Sequence, residues 1–297
     1  MKTQAFHLHS ISGLHVGTGQ GIGVIDMPIA RERASNLPLV PGSGIKGVLR
    51  DECKDRDDID KKDYIALFGP EAGDNASDFA GALSVSDARL LCLPIRSWSG
   101  TFAWVTCPMI LQRYQRDLQN SDSIPKPDDD KSAYTSTKTA LIESDKIYLE
   151  DLDLNKADNN TDIVDKWAEF IANQIFTDDN WKSLFKERFL IVSDNTFDFL
   201  SETATEIRAR IRIKEDTRTV QQGALWYEEY LPAETLLWGI IGSDNARDGS
   251  KKNAEELMKI LPTNNTRIQI GGNATIGAGQ VRWILSSHKE KAEGGEQ

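Results

Sequence analysis

The chain has 297 residues, 39% of them hydrophobic and seven of them tryptophan, so it can bury the core of one large domain or two small ones. Its apolar runs are far shorter than the ~20 residues that cross a bilayer, and its first residues lack a signal-peptide core, so no membrane partner is expected. Three widely spaced cysteines favour a reducing, cytoplasmic setting and neither a disulfide framework nor a zinc knuckle.

The net charge of −11 argues against a nucleic-acid partner until its distribution is considered. Residues 117–203 hold 20 acidic and 9 basic side chains, so this segment carries the whole excess and the rest of the chain sums to zero. Residues 1–50 hold five basic and two acidic side chains. Basic segments therefore remain available for an anionic partner.

The first half of the chain alternates predicted strands and helices. Residues 3–12 alternate in polarity and predict a strand, on which His7 and His9 are expected to be structural. A glycine-rich loop follows, and then a helix over 44–54 with Ser43 as its N-cap. A short helix over 62–68, strands near 82–88 and 101–106, and a helix through Tyr114 complete this half.

The second half begins with a polar stretch, 120–165, which predicts an irregular surface insertion, followed by a helix over 163–176. We take residues 115–203 together as an acidic, helical or irregular insertion. A basic hairpin over 207–220 turns at 214–216. Strands near 229–239, 267–270 and 280–285, a helix near 251–260 and a charged tail from Ser286 follow. The pattern favours an α+β fold of ferredoxin-like type in a single domain over 1–297.

Two glycine-rich segments near the N-terminus carry ionisable residues. His15 and Asp26 flank a loop whose glycines permit close approach to a ligand, which suits a general base or metal ligand facing a phosphodiester, although Asp26 would serve equally well as a turn cap. The helix that starts near Gly44 carries Lys46 and Arg50 on one face. Its apolar face consists of the residues that recur at helical spacing, Ile45, Val48, Leu49 and Cys53. That helix is either an anion site or an ordinary solvated face, and it lacks the GxxxxGK[ST] pattern of a P-loop.

Two further segments lie near the C-terminus. Residues 271–279 hold four glycines, Gly271, Gly272, Gly277 and Gly279, between two predicted strands, so the backbone can lie against a phosphate or form a plain hairpin. Glu228 and Tyr230 point the same way on an extended strand and suit acid–base work, or an amphipathic strand with a packed tyrosine.

Together and in this order, these segments resemble the RAMP superfamily, specifically the repeated backbone subunit of type III-B (Cmr) CRISPR RNA-targeting effector complexes. The resemblance is carried by the stretches GLHVGTGQ, GVIDMPIARE, PLVPGSGIKGVLRDE, FAWVTCP, LWYEEYLPAET and IGGNATIGAGQV. It implies an RRM-like palm, a β-hairpin thumb over about 204–224 and a helical fingers insertion. It also implies four kinds of partner: guide RNA, single-stranded target RNA, further copies of the chain and other Cmr subunits.

The resemblance also implies roles for individual residues. Asp26 matches the family's cleavage aspartate, and His15, Glu228 and Tyr230 match the positions around it. The guide backbone would lie along Lys46, Arg50, the 271–279 loop and the hairpin residues Arg208 and Arg210. Asp26 would accept the 2′-OH proton of the target or hold a divalent cation such as Mg²⁺.

Three other functions fit parts of the sequence. A guide-RNA scaffold without cleavage would need no catalytic Asp26. A guide-maturation endoribonuclease of the same superfamily would also carry the C-terminal glycine loop. A nucleotide-binding metabolic enzyme is disfavoured, because neither a P-loop nor a dinucleotide-binding pattern is complete.

Overall fold

The computed structural model describes residues 1–19, 21, 23–70, 79–157, 160–262 and 265–286. Beyond Ser286, the predicted charged tail lies outside these residues. The strands are β1 (Lys2–Ser10), β2 (Leu39–Val40), β3 (Leu83–Val85), β4 (Ala88–Arg96), β5 (Phe102–Thr106), β6 (Ser132–Thr135), β7 (Ile142–Glu143), β8 (Lys146–Leu149), β9 (Leu152–Lys156), β10 (Phe189–Val192), β11 (Glu206–Ile213), β12 (Val220–Tyr230), β13 (Leu236–Ser243), β14 (Thr266–Gln269) and β15 (Gln280–Leu285). The helices are α1 (Gly42–Lys54), α2 (Lys61–Phe68), α3 (Pro108–Leu118), α4 (Thr161–Ile175), α5 (Asp179–Arg188), α6 (Asp194–Thr203) and α7 (Ala254–Met258), with a 3-10 turn at Ala274–Ile276.

Thirteen of the described strands form one mixed sheet. Its path is β14-β15-β1-β13-β4-β5-β10-β6-β9-β8-β7, with β2 added to β4 and β3 added to β13. The strands from β14 to β5 are antiparallel to their neighbours, and β10 joins β5 in parallel. The α+β class predicted from the sequence is confirmed, and the antiparallel centre of the sheet is consistent with a ferredoxin-like palm. Among the described residues, no helix is long and apolar enough to span a membrane.

Helix α1 packs on this sheet through the apolar face that its sequence predicts, with Ile45, Leu49 and Cys53 buried. Its start differs from the prediction. Ser43 is not the N-cap, because the helix begins at Gly42 and the capping position has no side-chain hydrogen bond. Instead, Gly42 donates its backbone N–H to Asp87 Oδ1 at 2.8 Å. A distant carboxylate therefore occupies the helix end that the sequence suggests as an anion site.

The polar segment 120–165 is more regular than its sequence predicts. It contains the short strands β6 to β9, which continue the main sheet and bury Ile147, Leu149 and Leu154. The β8–β9 hairpin turns at Glu150 and Asp151, where Glu150 has a φ of 47°. Strands of only two to five residues are too short to give a clear period, so the prediction of irregular chain was wrong here. Helices α4 to α6 supply the helical part.

Strands β11 and β12 form a separate two-stranded sheet, which is the predicted hairpin in a longer form. Pairing runs from Ile213 and Val220 near the tip to Glu206 and Tyr230 at the base. The strand predicted over 229–239 is therefore two strands, because β12 ends at Tyr230 and β13 starts at Leu236. All side chains from 211 to 223 are exposed, so the tip projects from the body of the protein.

The two histidines of β1 have structural roles, as predicted. His7 Nε2 lies 2.7 Å from the Tyr114 hydroxyl, and the imidazole is completely buried. Burial lowers the pKa of His7 to about 3, because the charged form would lose its hydration. His9 Nε2 lies 2.7 Å from a carboxylate oxygen of Glu234.

We expect buried His7 to make the protein less stable in mild acid. Between pH 6.5, the ordinary pKa of the group, and about 3, the unfolded chain binds a proton that the folded chain excludes. The free energy of unfolding should fall by up to ~1.4 kcal/mol per pH unit below 6.5 from this group. In urea unfolding between pH 7.5 and 5, His7→Gln should show a shallower slope than the wild type. Equal slopes would contradict the assignment.

Candidate active site at the base of the hairpin

The loop between β1 and α1 runs beside the base of the hairpin. Leu14 forms an antiparallel bridge with Leu231, and Met27 forms a parallel bridge with Glu228. Met27 donates its N–H to the carbonyl of Tyr227, and Glu229 donates to the carbonyl of Met27, both at 3.0 Å. The loop that carries both predicted catalytic residues is therefore held against β12 by backbone hydrogen bonds.

His15 is buried, and its ring orientation is set by one hydrogen bond. Nδ1 donates to the carbonyl oxygen of Glu229 at 2.7 Å, so this nitrogen carries the proton and Nε2 is left to exchange a proton with a ligand. The ring lies 5.2 Å from that of Tyr230. A Cβ on Gly17 would come within 2.7 Å of Nε2, so a glycine at that position leaves room for the imidazole.

Glu228 and Tyr230 share one face of β12, as predicted. The Tyr230 hydroxyl donates to Glu228 Oε2 at 2.6 Å. Asn273, in the C-terminal glycine loop, donates its amide to both partners, at 2.9 Å to Oε2 and 2.7 Å to the phenol oxygen. Trp226 Nε1 donates to Oε1 at 2.8 Å. Four side chains thus form one hydrogen-bonded cluster across two distant segments of the chain.

The electrostatics of this cluster fix its protonation at neutral pH. Burial alone would raise the pKa of Glu228, but the hydrogen bonds from Tyr230 and Trp226 and the charge of Arg210 outweigh it and lower the pKa below its usual range. Burial and the Glu228 carboxylate raise the pKa of Tyr230. Glu228 therefore stays ionised and Tyr230 stays protonated, so the pair offers a fixed charge and a fixed donor.

Asp26 lies beside this cluster and is exposed. Its Oδ2 accepts the backbone N–H of Tyr227 at 2.8 Å, and its neighbour Met27 is the residue that bridges to Glu228. The structure thus joins Glu228 and Tyr230 by a hydrogen bond, places the His15 ring next to that of Tyr230, and binds Asp26 to the backbone of Tyr227. Within the described chain, no hydrogen bond joins the Asp26 side chain to the other three.

Arg208 and Arg210 reach the site from the facing strand of the hairpin. The Arg208 guanidinium lies 4.3 Å from the centre of the Tyr230 ring and is paired with Glu206. Arg210 Nε lies 3.6 Å from Glu228 Oε2. Both cations border the cluster, so any anionic ligand held there would meet them. Their role in RNA binding stays a prediction.

The C-terminal glycine loop packs against the segment that carries His15. Gly272 donates its N–H to the carbonyl oxygen of His15, and Gly279 donates to that of Gly13, both at 2.9 Å. Gly271 and Gly279 have positive φ, and a Cβ at either would lie within 2.2 Å of a backbone oxygen. Close approach between two parts of the same chain therefore requires these glycines. Gly277 also has positive φ but faces open space.

Lys46 and Arg50 lie on α1 and are engaged by carbonyl oxygens. Lys46 Nζ donates to the carbonyl of Leu83 at 2.8 Å, and burial together with the charge of Arg50 lowers its pKa. Arg50 donates to the carbonyls of Gly69 and Pro70 and to the Tyr64 hydroxyl. An RNA phosphate would have to compete with these contacts, and the predicted role of both residues is untested.

Two residues that the sequence analysis did not single out hold the site together. Glu229, 3% exposed, accepts from the Ile29 N–H, Arg31 and Thr205. Asn273 bridges Glu228 and Tyr230. Strand alternation assigns Glu229 to the face opposite Glu228, but only the fold shows that this face is buried. Asn273 lies among four glycines and adopts a left-handed φ of 65°, which asparagine tolerates better than most residues.

The described residues of the protein do not form a complete metal site without RNA. Among the residues that the structure describes, no three His, Cys, Asp or Glu side chains are grouped as metal ligands. Asp26 is a single exposed carboxylate. Mg²⁺ is often held by one or two carboxylates and completed by substrate phosphates, so Asp26 fits a metal site only together with RNA.

Comparison with known proteins identifies the family. A model of the RAMP superfamily matches residues 7–282. The chain belongs to the RAMP superfamily. The resemblance seen in the sequence is thereby confirmed, and the match includes both glycine loops, the hairpin and the site of this RAMP protein.

Individual RAMP proteins are similar over almost the full chain. The Pyrococcus furiosus protein named CRISPR system Cmr endoribonuclease Cmr4 is 35% identical over 292 residues, covering 96% of each chain. The Saccharolobus solfataricus CRISPR system CMR subunit Cmr4 is 26% identical, covering 94% of this chain and 96% of the relative. The crystal structure of oligomeric Cmr4 from Pyrococcus furiosus superposes with a TM-score of 0.73 at 29% identity, covering 96% of this chain and 98% of that one.

A matched pair of glycine substitutions tests whether the C-terminal loop positions His15. Gly271→Ala and Gly277→Ala both place alanine at a φ near 80°, but only at Gly271 does the new Cβ meet the His15 carbonyl oxygen. We expect Gly277→Ala to cost ~1–2 kcal/mol of unfolding free energy from the left-handed backbone. Gly271→Ala should cost clearly more and shift the NMR signals of the His15 ring. Equal costs and unshifted signals would contradict this role.

Proposed function

We propose that this chain is a guide-RNA-binding filament subunit of a CRISPR effector complex that cleaves guide-paired target RNA at regular intervals, with Asp26 at the cut. Its partners would be the guide RNA, single-stranded target RNA, further copies of itself and other Cmr subunits, in the cytoplasm. The observation that carries the proposal is the exposed Asp26 carboxylate, which accepts the backbone N–H of Tyr227 next to Glu228, in a chain 35% identical to a protein named as a Cmr endoribonuclease.

The hairpin has the surface that a wedge in an RNA duplex needs. One face is apolar and exposed, with Ile211 paired to Leu225 and Ala209 paired to Tyr227. The exposed apolar side chains of the hairpin are Ile207, Ile211, Ile213, Val220, Leu225 and Tyr227. Apolar and aromatic side chains can part stacked bases at a cost of a few kcal/mol per step. The opposite face carries Arg208 and Arg210, which suit phosphates. We infer that this hairpin, the thumb of the family, displaces a target nucleotide above the site.

Displacing one nucleotide supports cleavage without an external nucleophile. A freed sugar can place its 2′-OH in line with the leaving 5′ oxygen. The 2′ oxygen then bonds to phosphorus as the bond from phosphorus to the 5′ oxygen breaks, leaving a cyclic phosphate and a 5′-hydroxyl end. Asp26 is placed to accept the 2′-OH proton, and protonated His15 would give the Nε2 proton to the leaving oxygen.

The ionised Glu228 contributes through charge. Tyr230 and Asn273 hold this carboxylate in place, so its negative charge stays fixed beside the site. In the alternative role of Asp26, this carboxylate would be the protein ligand of a divalent cation such as Mg²⁺, which would neutralise charge on the phosphate. In that case, removing Mg²⁺ with EDTA should slow cleavage in the assembled complex while the guide RNA stays bound.

The variant Asp26→Asn tests the catalytic role of this carboxylate while keeping its structural hydrogen bond. Asparagine keeps an oxygen that can accept the Tyr227 N–H, but it cannot take up a proton as a carboxylate does. In the complex assembled on guide RNA, we expect cleavage of a guide-complementary RNA to slow by ~10²–10⁴-fold, the usual range for a lost general base. Assembly and target binding should be unchanged, as measured by native mass spectrometry and gel shift.

A substrate control complements that variant. A single 2′-deoxy nucleotide at one cleavage position should abolish that cut and leave the others. Cleavage by Asp26→Asn at the wild-type rate would remove Asp26 from the mechanism. If wild-type complexes bound the guide RNA and the target RNA without cutting the target, the chain would be a non-catalytic scaffold. Cutting of bare repeat RNA by the isolated chain would instead indicate guide maturation.

A further inference from the structure

A cavity of about 820 Å³ lies at the acidic end of the sheet, away from the glycine loops and the hairpin. Its walls are the turn after β4, the edge of β7 and the turn between β8 and β9. Backbone bonds join these segments, since Trp98 donates its N–H to the Tyr148 carbonyl at 3.1 Å and Glu150 donates to that of Arg96 at 3.0 Å. The cavity is therefore built on paired strands and tight turns and does not depend on a loose loop.

An exposed tryptophan stands at its rim. Trp98 is 80% exposed, although its backbone is fixed by strand pairing, and Tyr148 adds a second aromatic ring to the lining. An indole in this position is costly to leave in water and is enriched at the centres of protein interfaces. Its face also attracts a cation, most strongly a guanidinium or an ammonium.

The lining of the cavity is negatively charged overall, as a site for a cation requires. Glu143, Glu150 and Asp151 contribute three carboxylates, and among the described residues only Arg96 adds a cationic side chain to the lining. Burial and the nearby charge of Asp151 raise the pKa of Glu150, while Arg96 opposes this only in part. Glu150 and Asp151 thus repel each other, and a second cation would relieve this repulsion.

A buried polar atom is also left without a partner. Ser97 belongs to the lining and is 5% exposed. Its hydroxyl oxygen has no hydrogen bond within the described part of the chain, and the atom is buried beneath the surface. Buried hydroxyls are usually satisfied, but this one is not accessible from the cavity and does not contribute to docking.

We propose that this cavity docks a basic segment of another protein, with an arginine or lysine side chain lying over Trp98 among the three carboxylates. RNA is disfavoured as the occupant, because its phosphates would meet a net negative lining. A second copy of this chain is also disfavoured. Its overall charge is −11, and the hairpin residues Arg208 and Arg210 already face the carboxylates of Glu206 and Glu228.

The proposal can be tested with defined peptides and the complete chain. The probes are acetyl-Gly-Arg-Gly-amide and the same peptide with citrulline, which has nearly the same shape and no charge. We follow the indole N–H signal of Trp98 by NMR, assigned with Trp98→Phe. We expect the arginine peptide to shift this signal to saturation in the millimolar range and the citrulline peptide to leave it unchanged. The double variant Glu150→Gln/Asp151→Asn should weaken binding by about two- to fivefold or more.

Asp179→Asn is the matched control, since this carboxylate is 96% exposed on α5 and does not line the cavity, and it should bind the arginine peptide as the wild type does. Equal shifts with both peptides, or no shift with either, would overturn the proposal. A larger shift with an oligouridylate would make the surface an RNA contact. A shift on raising the protein concentration alone would make the occupant a second copy.

Discussion

The site depends on the buried carboxylate of Glu229, which accepts hydrogen bonds from three other residues. Glu229 receives hydrogen bonds from the Ile29 N–H, from Arg31 and from Thr205, which lies where the hairpin begins. Its backbone holds His15 through the carbonyl and Met27 through the N–H. A carboxylate removed from water must be matched in this way, because each missing partner leaves an uncompensated charge. One residue thus fixes the Asp26 loop, the His15 ring and the base of the hairpin relative to each other.

This arrangement gives β12 two different roles along its length. Near the tip, Val220 and Leu225 are exposed, and β11 is the only described strand that pairs with β12. At the base, Glu228, Glu229 and Tyr230 are buried between the N-terminal loop and the C-terminal glycine loop. A strand that is free at one end and clamped at the other can follow an RNA duplex without moving the groups that would react with it. Positioning and chemistry are therefore separated along a single strand.

Local patterns in the sequence predicted the parts of the site that depend on local geometry. Strand alternation placed Glu228 and Tyr230 together, and helical spacing identified Ile45, Leu49 and Cys53 as the buried face of α1. The features that were missed depend on distant partners. Asp87, and not Ser43, meets the first N–H of α1. Strands β6 to β9 extend the sheet from the edge of β10, and each is too short for its own sequence pattern to identify it. In the sequence, Glu229 resembles an ordinary exposed acid. Only the fold brings Arg31 and Thr205, which are distant in the chain, into hydrogen-bonding contact with it.

The sheet order also reconciles an acidic protein with an RNA partner. The hairpins of β7 to β9 lie at one end of the sheet path, and β14 with its glycine loop lies at the other, ten strand spacings away. At ~4.8 Å per spacing, the two ends are on the order of 45 Å apart along the sheet. Charges in water are screened over ~8 Å at physiological ionic strength, so those acids act mainly on whatever approaches their own edge. The same chain can therefore present arginine side chains at the hairpin and an acidic surface at the far edge.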